Sequence, residues 1–166
     1  MRNKFIIGLA QADRNYGLNN KKNFTDVINS SLKNKFIFYD SSISYKNRIK
    51  YEKKISENKN TKIITKSSFN FPKNINFKKK VETEIKNLLK ENKRLYAILI
   101  HDPLLPLNDY KWKIVFSILK KYKKNGYLKK IGVSVYNKYE LNLILKKFKP
   151  DIIQFPLNLF NQSFKD

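Results

Sequence analysis

Six short apolar segments alternate along the chain with longer amphipathic stretches, and this alternation most constrains the fold. The apolar segments are typical of β-strands that are buried on both faces. They cover Lys4–Gln11, Phe36–Asp40, Thr61–Lys66, Leu95–Asp102, Lys130–Tyr136 and Asp151–Pro156. Because strands that alternate with helices form parallel sheets with right-handed crossovers, the pattern predicts an α/β fold.

Three of the intervening stretches carry apolar residues three and four positions apart, as amphipathic helices do. The predicted faces consist of Phe77, Val81, Ile85, Leu88 and Leu89; of Trp112, Val115, Phe116, Ile118 and Leu119; and of Leu141, Leu143, Ile144 and Phe148. Boundary residues agree with these faces. Asn76 can cap the first helix, Asn125-Gly126 is typical of the end of the second, and Pro150 stops the third before its strand.

The chain has no linker, low-complexity segment or break in composition, so we expect a single domain over residues 1–166. Six parallel strands and about five helices fit either a doubly wound open sheet or an incomplete (βα)8 barrel. The glycine-rich fingerprint of a dinucleotide-binding Rossmann domain does not follow the first strand, where the chain reads Gly8-Leu9-Ala10-Gln11-Ala12-Asp13. Its absence favours the incomplete barrel.

The chain carries a formal net charge of +23, which raises the question of a nucleic-acid partner. However, 32 of its basic residues are lysines and only 4 are arginines. The lysines are dispersed, and Arg is the preferred residue for reading phosphate and guanine. Codon bias explains such a composition equally well, so the scarcity of arginine and the dispersion of the lysines disfavour nucleic acid as the main ligand.

Other classes are also disfavoured by composition. The chain has no cysteine, which excludes disulfides, zinc–thiolate sites and cysteine nucleophiles. No apolar run approaches the roughly 20 residues that span a bilayer, and the run Phe5–Ala10 is too short for a signal peptide. These features predict a soluble cytoplasmic protein.

Polar residues follow the second, third and fourth predicted strands. They are Asp40 with Tyr45, Lys66, and His101, which is the only histidine of the chain. Each has a purely structural interpretation: a helix cap for Asp40, a packed ring for Tyr45, a solvated lysine for Lys66 and a core histidine for His101. Catalytic side chains of barrel enzymes nevertheless lie at these strand ends.

Taken together, the four residues indicate one proton-transfer site. A tyrosine hydroxyl has a pKa near 10, which is too high for efficient proton transfer at neutral pH. An adjacent ammonium such as that of Lys66 would lower it, and Asp40 would balance the lysine charge. His101 could then orient a substrate carbonyl by hydrogen bonding.

The order and spacing of these residues resemble the aldo-keto reductase family. The matching segments are Gly8-Leu9-Ala10-Gln11, Tyr16-Gly17, Asp40-Ser41-Ser42-Ile43-Ser44-Tyr45, Ile63-Ile64-Thr65-Lys66, Leu99-Ile100-His101-Asp102-Pro103, Gly126–Ser134 and Ile152–Asn158. They cover essentially the whole chain and are most similar to bacterial members with Gly-Val-Ser-Val-Tyr after the fifth strand. Where the family has Ser-Asn, this chain has Ser134-Val135, and Tyr45 is followed by Lys46 instead of glycine.

The resemblance implies a (βα)8 barrel that binds NADPH and reduces an aldehyde or ketone. Tyr45 would be the general acid, Lys66 and Asp40 would tune it, and His101 would steer the carbonyl. Ser134 and Gln154 would hold the nicotinamide carboxamide. No metal ion or flavin is implied.

The chain ends just past the sixth strand, whereas the family has eight, so we expect a barrel truncated after about six βα units. The first and sixth strands would leave unpaired edges that a partner, or a second copy, could cover. The alternative to a reductase is therefore a catalytically inactive remnant that acts as an interaction module. Nucleic-acid binding is a third hypothesis, which the composition disfavours.

Overall fold

A computed structural model describes residues 5–12, 21–72, 76–102 and 104–164, and these contain six strands in one sheet. The strands are β1 (Ile6–Gly8), β2 (Phe38–Asp40), β3 (Lys62–Ser67), β4 (Leu95–Ile100), β5 (Lys130–Ser134) and β6 (Ile152–Gln154). Their spatial order is β1-β2-β3-β4-β5-β6, and the pairings are parallel. A doubly wound sheet reverses its strand order at a switch point, and this sheet does not. The fold class is the predicted incomplete (βα)8 barrel.

Five α-helices connect the strands in the described part of the chain. They are α1 (Lys21–Lys33), α2 (Arg48–Ser56), α3 (Phe77–Glu91), α4 (Asp109–Lys124) and α5 (Lys138–Leu145). Two of the three predicted helix boundaries hold, those at Asn76 and at Asn125-Gly126. The Asn76 side chain accepts a hydrogen bond of 3.0 Å from the Lys79 N–H, Asn125 caps the end of α4, and Gly126 follows with φ +80°. That left-handed conformation favours glycine.

The fourth and fifth strands end earlier than predicted, at points where backbone N–H groups bond to nearby side chains. Asp102 lies outside β4, since its carboxylate accepts a hydrogen bond from the Leu104 N–H at 2.9 Å. Tyr136 lies outside β5, since its N–H donates to the Glu140 carboxylate at 2.7 Å. Local side-chain bonds of this kind compete with sheet ladders and end strands early.

The chain divides into two compact units. The first consists of Met1–Thr65 with Asn87–Tyr96, and the second consists of Lys66–Lys86 with Ala97–Asp166. The boundary between the units cuts through β3, β4 and α3. The units are therefore distinguished by their internal contacts and are not separated by a linker.

The first unit is built around a hydrophobic cluster between α1, α2 and the strands β1 to β3. Its buried members are Leu9, Ala12, Phe24, Ile28, Tyr39, Tyr51, Ile55 and Ile63. The rings of Phe24 and Tyr51 join α1 to α2 edge to face, with centroids 5.0 Å apart. Burial raises the pKa of the Tyr39 hydroxyl, although its 3.0 Å hydrogen bond with Ser31 acts in the opposite direction. The tyrosine therefore stays neutral and serves as a core residue.

In the second unit the predicted face of α4 is buried, with Trp112, Val115, Ile118 and Leu119 all in the core. The predicted third helix ends at Leu145, earlier than its apolar pattern suggested. Phe148 lies beyond it and packs against Trp112, with ring centroids 4.9 Å apart. Pro150 disfavours helical backbone only from Lys149 onward, so the proline does not by itself account for an end at Leu145.

Gly132 in β5 occupies a position that has no room for a side chain. A Cβ added there would overlap the backbone oxygen of Ile152 in β6 and the side chain of Leu99 in β4. We expect Gly132→Ala to destabilise the protein by about 1–3 kcal/mol in urea unfolding, since overpacking forces neighbouring strands to shift. Gly8→Ala is the matched control. Its Cβ would meet nothing within 4 Å, so equal losses from both variants would contradict the packing argument.

Candidate active site

The first unit carries Asp40 and Tyr45 at the carboxyl end of β2. Asp40 is the last residue of β2 and pairs in register with Gly8 of β1 and Ile64 of β3. Its backbone oxygen accepts the Leu9 N–H at 2.8 Å, which holds the two strand ends together. The side chain of Asp40 is half-buried. Asn47, and not Asp40, is the residue that precedes α2 as its N-cap, so the helix-cap interpretation of Asp40 does not hold.

Tyr45 lies in the turn between β2 and α2. Its N–H donates to the Ser42 oxygen at 3.0 Å, and its half-buried side chain packs against the hydrophobic cluster of the first unit. The packed-ring interpretation therefore describes the ring of Tyr45. It leaves open what the hydroxyl does.

Two buried hydroxyls at the same strand ends escape sequence reasoning. Ser41 follows Asp40, and Thr65 precedes Lys66, and both residues are 0% exposed. Neither side-chain oxygen forms a hydrogen bond with any residue of the described ranges. Buried polar atoms without partners are rare in native proteins, so each one calls for an explanation. Serine and threonine are too common in loops for their sequence positions to reveal this.

The second unit begins with Lys66, the lysine predicted at the end of the third strand, and Lys66 is the next-to-last residue of β3. Lys66 is only 4% exposed, and it is the only lysine among the buried residues that the structure describes. The solvated-lysine interpretation is therefore wrong. Burying an ammonium group is costly unless it is paired, so a lysine in this position indicates a specific role.

His101 directly follows β4 in the same unit. Its N–H donates to the Ser67 oxygen at 2.8 Å, so its backbone lies beside that of the residue after Lys66. The imidazole is half-buried, and its ring centroid lies 6.1 Å from that of Tyr136. Tyr136 is a further candidate that sequence reasoning did not assign, although its position just after the Gly-Val-Ser-Val segment could have suggested it.

Ser134 and Gln154 are the last residues of β5 and β6 and face each other in register. The Val135 N–H donates to the Gln154 backbone oxygen at 2.9 Å, which fixes this end of the two strands. Ser134 is buried. The side-chain oxygen Oε1 of Gln154 is also buried and accepts no hydrogen bond from the part of the chain that the structure describes. An unused acceptor next to a buried serine suits an amide-bearing ligand such as the nicotinamide carboxamide, so these residues fit the predicted cofactor.

Some predicted features lie outside the described residues, namely Tyr16-Gly17, Asp13 and Pro103. Within the described ranges, no group of three His, Asp or Glu side chains is arranged to hold a metal ion. Likewise, none of the helices described is both long and apolar enough to cross a lipid bilayer.

Comparison with solved structures identifies proteins of similar fold. A Pseudomonas aeruginosa protein assigned to the aldo-keto reductases superposes with a TM-score of 0.69 at 15% identity, covering 96% of this chain and 65% of that one. The glycerol dehydrogenase of Gluconobacter oxydans gives a TM-score of 0.65 at 18% identity, covering 94% of this chain and 52% of that one. A mutant of the protein Gox0644, solved in complex with NADPH, gives 0.62 at 20% identity, covering 92% and 53%.

These likenesses show a shared fold, and the chain spans between about half and two thirds of the length of these proteins. No curated protein matches the chain. The model of the aldo/keto reductase family matches residues 4–165, which is nearly the full sequence. The chain therefore belongs to the aldo-keto reductase family.

Proposed function

We propose that this protein is a cytoplasmic oxidoreductase that reduces an aldehyde or ketone with NADPH. Family membership over residues 4–165 supports an oxidoreductase, and a protein of the same fold has been solved with NADPH bound. The cofactor assignment rests on one observation. The buried Oε1 of Gln154, which lies opposite Ser134 in the sheet, accepts no hydrogen bond from the described residues.

The proposed roles follow the chemistry of each side chain. NADPH, when bound, supplies the hydride. The Tyr45 hydroxyl donates a proton to the carbonyl oxygen, and His101 holds that oxygen by a hydrogen bond. Lys66 favours the phenolate that Tyr45 leaves behind, and Asp40 balances the lysine charge. The burial of Lys66, and the positions of Asp40, Lys66 and His101 at or next to the carboxyl ends of their strands, support these roles.

Ser134 and Gln154 would hold the carboxamide of the nicotinamide ring. The Gln154 Oε1 accepts from an amide N–H₂, and the Ser134 hydroxyl can donate to an amide oxygen. Two complementary bonds of this kind would fix the orientation of the ring. Val135 in the place of the family's asparagine removes a third amide contact.

Binding of NADPH to Gln154→Met tests this assignment. The substitution keeps the length of the side chain and removes its acceptor, so we expect about tenfold weaker binding, which corresponds to one hydrogen bond of about 1.4 kcal/mol. Titration of NADPH fluorescence measures it. Gln162→Met is the matched control, because Gln162 lies on the surface beyond β6 and its side chain donates a hydrogen bond to the Leu159 oxygen at 3.2 Å. Equal affinities of the two variants, or no NADPH binding by the unmodified chain, would contradict the proposed site.

A second candidate function is an interaction module that associates with a second copy of itself. The residues after β6 expose large apolar side chains, with Leu157 59%, Leu159 80% and Phe160 97% exposed. In the described sheet, β6 also pairs with β5 alone, and open strand edges of this kind promote association. A self-associating chain that lacks carbonyl reduction would favour this candidate.

A further inference from the structure

A cavity of about 690 Å³ lies in the second unit, away from the carboxyl ends of the strands. It is bounded by α4, by Ile131 at the start of β5, and by the segment that joins α5 to β6. Its volume is typical of sites that bind small organic molecules. Ser134 and Gln154 lie at the opposite ends of the same two strands, so this cavity is separate from the proposed cofactor site.

The lining of this cavity is strongly basic. Five of its nine residues are lysines, compared with 32 of 166 in the whole chain, so general lysine richness does not explain the concentration. The lysines are Lys120, Lys123, Lys124, Lys147 and Lys149. The lining also contains one acidic residue, Asp151, which leaves a net charge of five minus one, or +4.

The single carboxylate of the lining already binds a lysine and the backbone at the start of β5. Asp151 accepts the Ile131 N–H at 2.8 Å and the Lys123 ammonium at 2.6 Å. Although partial burial raises the pKa of Asp151, these bonds and the charge of Lys130 outweigh it and lower the pKa below its usual value. Lys147 pairs with Asp109 at 2.8 Å. Lys120, Lys124 and Lys149 form no ion pair with a residue of the described ranges and are available to an anion.

One wall of the cavity is aromatic. The rings of Phe116 and Phe148 are half-buried, with centroids 4.9 Å apart. Trp112 stacks behind Phe116, with ring centroids 4.8 Å apart and an angle of 13° between the planes. The Lys120 ammonium lies 5.2 Å from the centre of the Phe116 ring, so charge and aromatic surface meet at one point. A planar ring could pack against such a wall while an attached anion reaches the lysines.

We propose that this cavity binds a nucleoside polyphosphate, with the base against Phe116 and Phe148 and the phosphates among Lys120, Lys124 and Lys149. The phosphates of such a ligand would neutralise the net positive charge of the lining, which a neutral ligand would leave uncompensated. Its base would pack against the aromatic wall, which a simple inorganic anion could not do. The proposal stands independently of the reductase function, because it uses the amino-terminal ends of β5 and β6.

Isothermal titration with ATP, sodium tripolyphosphate and adenosine tests the proposal in the full chain at low salt. We expect one ATP to bind per chain, about tenfold or more tighter than either of the two parts alone, since ring and phosphates each contribute. Binding should weaken with added salt, because the contacts are partly exposed. Tripolyphosphate binding as tightly as ATP, or ATP not binding, would overturn the proposal.

The double variant Lys120→Ala/Lys124→Ala should weaken ATP binding about tenfold or more, because it removes two of the three available cations. Lys79→Ala/Lys86→Ala is the control with the same loss of charge. Those lysines are exposed on α3 in the same unit and do not line the cavity. Equal weakening by both double variants would show a diffuse charge effect and overturn the site.

Discussion

Replacing Tyr45 by phenylalanine is expected to lower the rate of NADPH-dependent carbonyl reduction by about 100-fold or more, the usual contribution of a general acid. The variant loses only the hydroxyl that would protonate the carbonyl oxygen. The ring, which packs against the hydrophobic cluster of the first unit, is retained. The measurement is the consumption of NADPH with an aldehyde substrate, followed by its absorbance, together with the urea midpoint of unfolding.

The control for this prediction is Tyr139→Phe, which removes the hydroxyl of a tyrosine that is 70% exposed on α5. Its activity should equal that of the unmodified chain. Lys66→Met adds a second test, because it removes the ammonium group while keeping a long apolar side chain at a buried position. Activity that survives Tyr45→Phe would contradict the assigned acid. Absence of activity in the unmodified chain would favour the interaction module.

The largest expected loss of stability follows from removing Arg48. Its guanidinium bridges Glu52, at 3.0 Å within α2, and Glu91, at 2.6 Å from the end of α3, all within the first unit. Glu52 is only 1% exposed. Arg48→Met leaves the Glu52 carboxylate buried without the arginine that neutralises it. Breaking a buried ion pair in this way costs about 3–5 kcal/mol of stability. Urea unfolding monitored by circular dichroism would show a lower midpoint with an unchanged slope.

Two further variants separate this effect from simple loss of a surface contact. Lys147→Met removes one partner of the ion pair with Asp109, whose side chains are 36% and 67% exposed, and should cost about 0–1 kcal/mol. The double variant Arg48→Met/Glu52→Gln removes the buried charge as well and should recover much of the loss. An Arg48→Met variant as stable as Lys147→Met would contradict the argument.

Hydropathy patterns predicted the elements well but predicted their ends poorly. The buried faces of α3 and α4 follow from apolar spacing, because that spacing is a property of the helix itself. The third predicted helix ended early because its last apolar residue, Phe148, finds its partners in Trp112 and Phe116 and not along a helix face. The short outer strands β1 and β6 were predicted too long, since each has one neighbouring strand in the described sheet and less backbone to pair with.

The roles of individual polar residues could be assigned only once their burial was known, and burial cannot be read from the sequence. Lys66 is one of 32 lysines in the chain, and only its 4% exposure separates it from the solvated ones. The unused oxygen of Gln154 is likewise visible only in the structure. The partnership of Arg48 with Glu91 spans 43 residues, beyond any local pattern.

From the sequence alone come the α/β class, the order of strands and helices, and the family, because periodicity and motif order are local properties of a chain. The tertiary structure alone decided the sequential strand order, the burial of Lys66 and the gathering of five lysines around an aromatic wall. These depend on contacts between residues that are distant along the chain. Such contacts arise when the apolar faces pack together, and packing then determines which polar groups lose access to water.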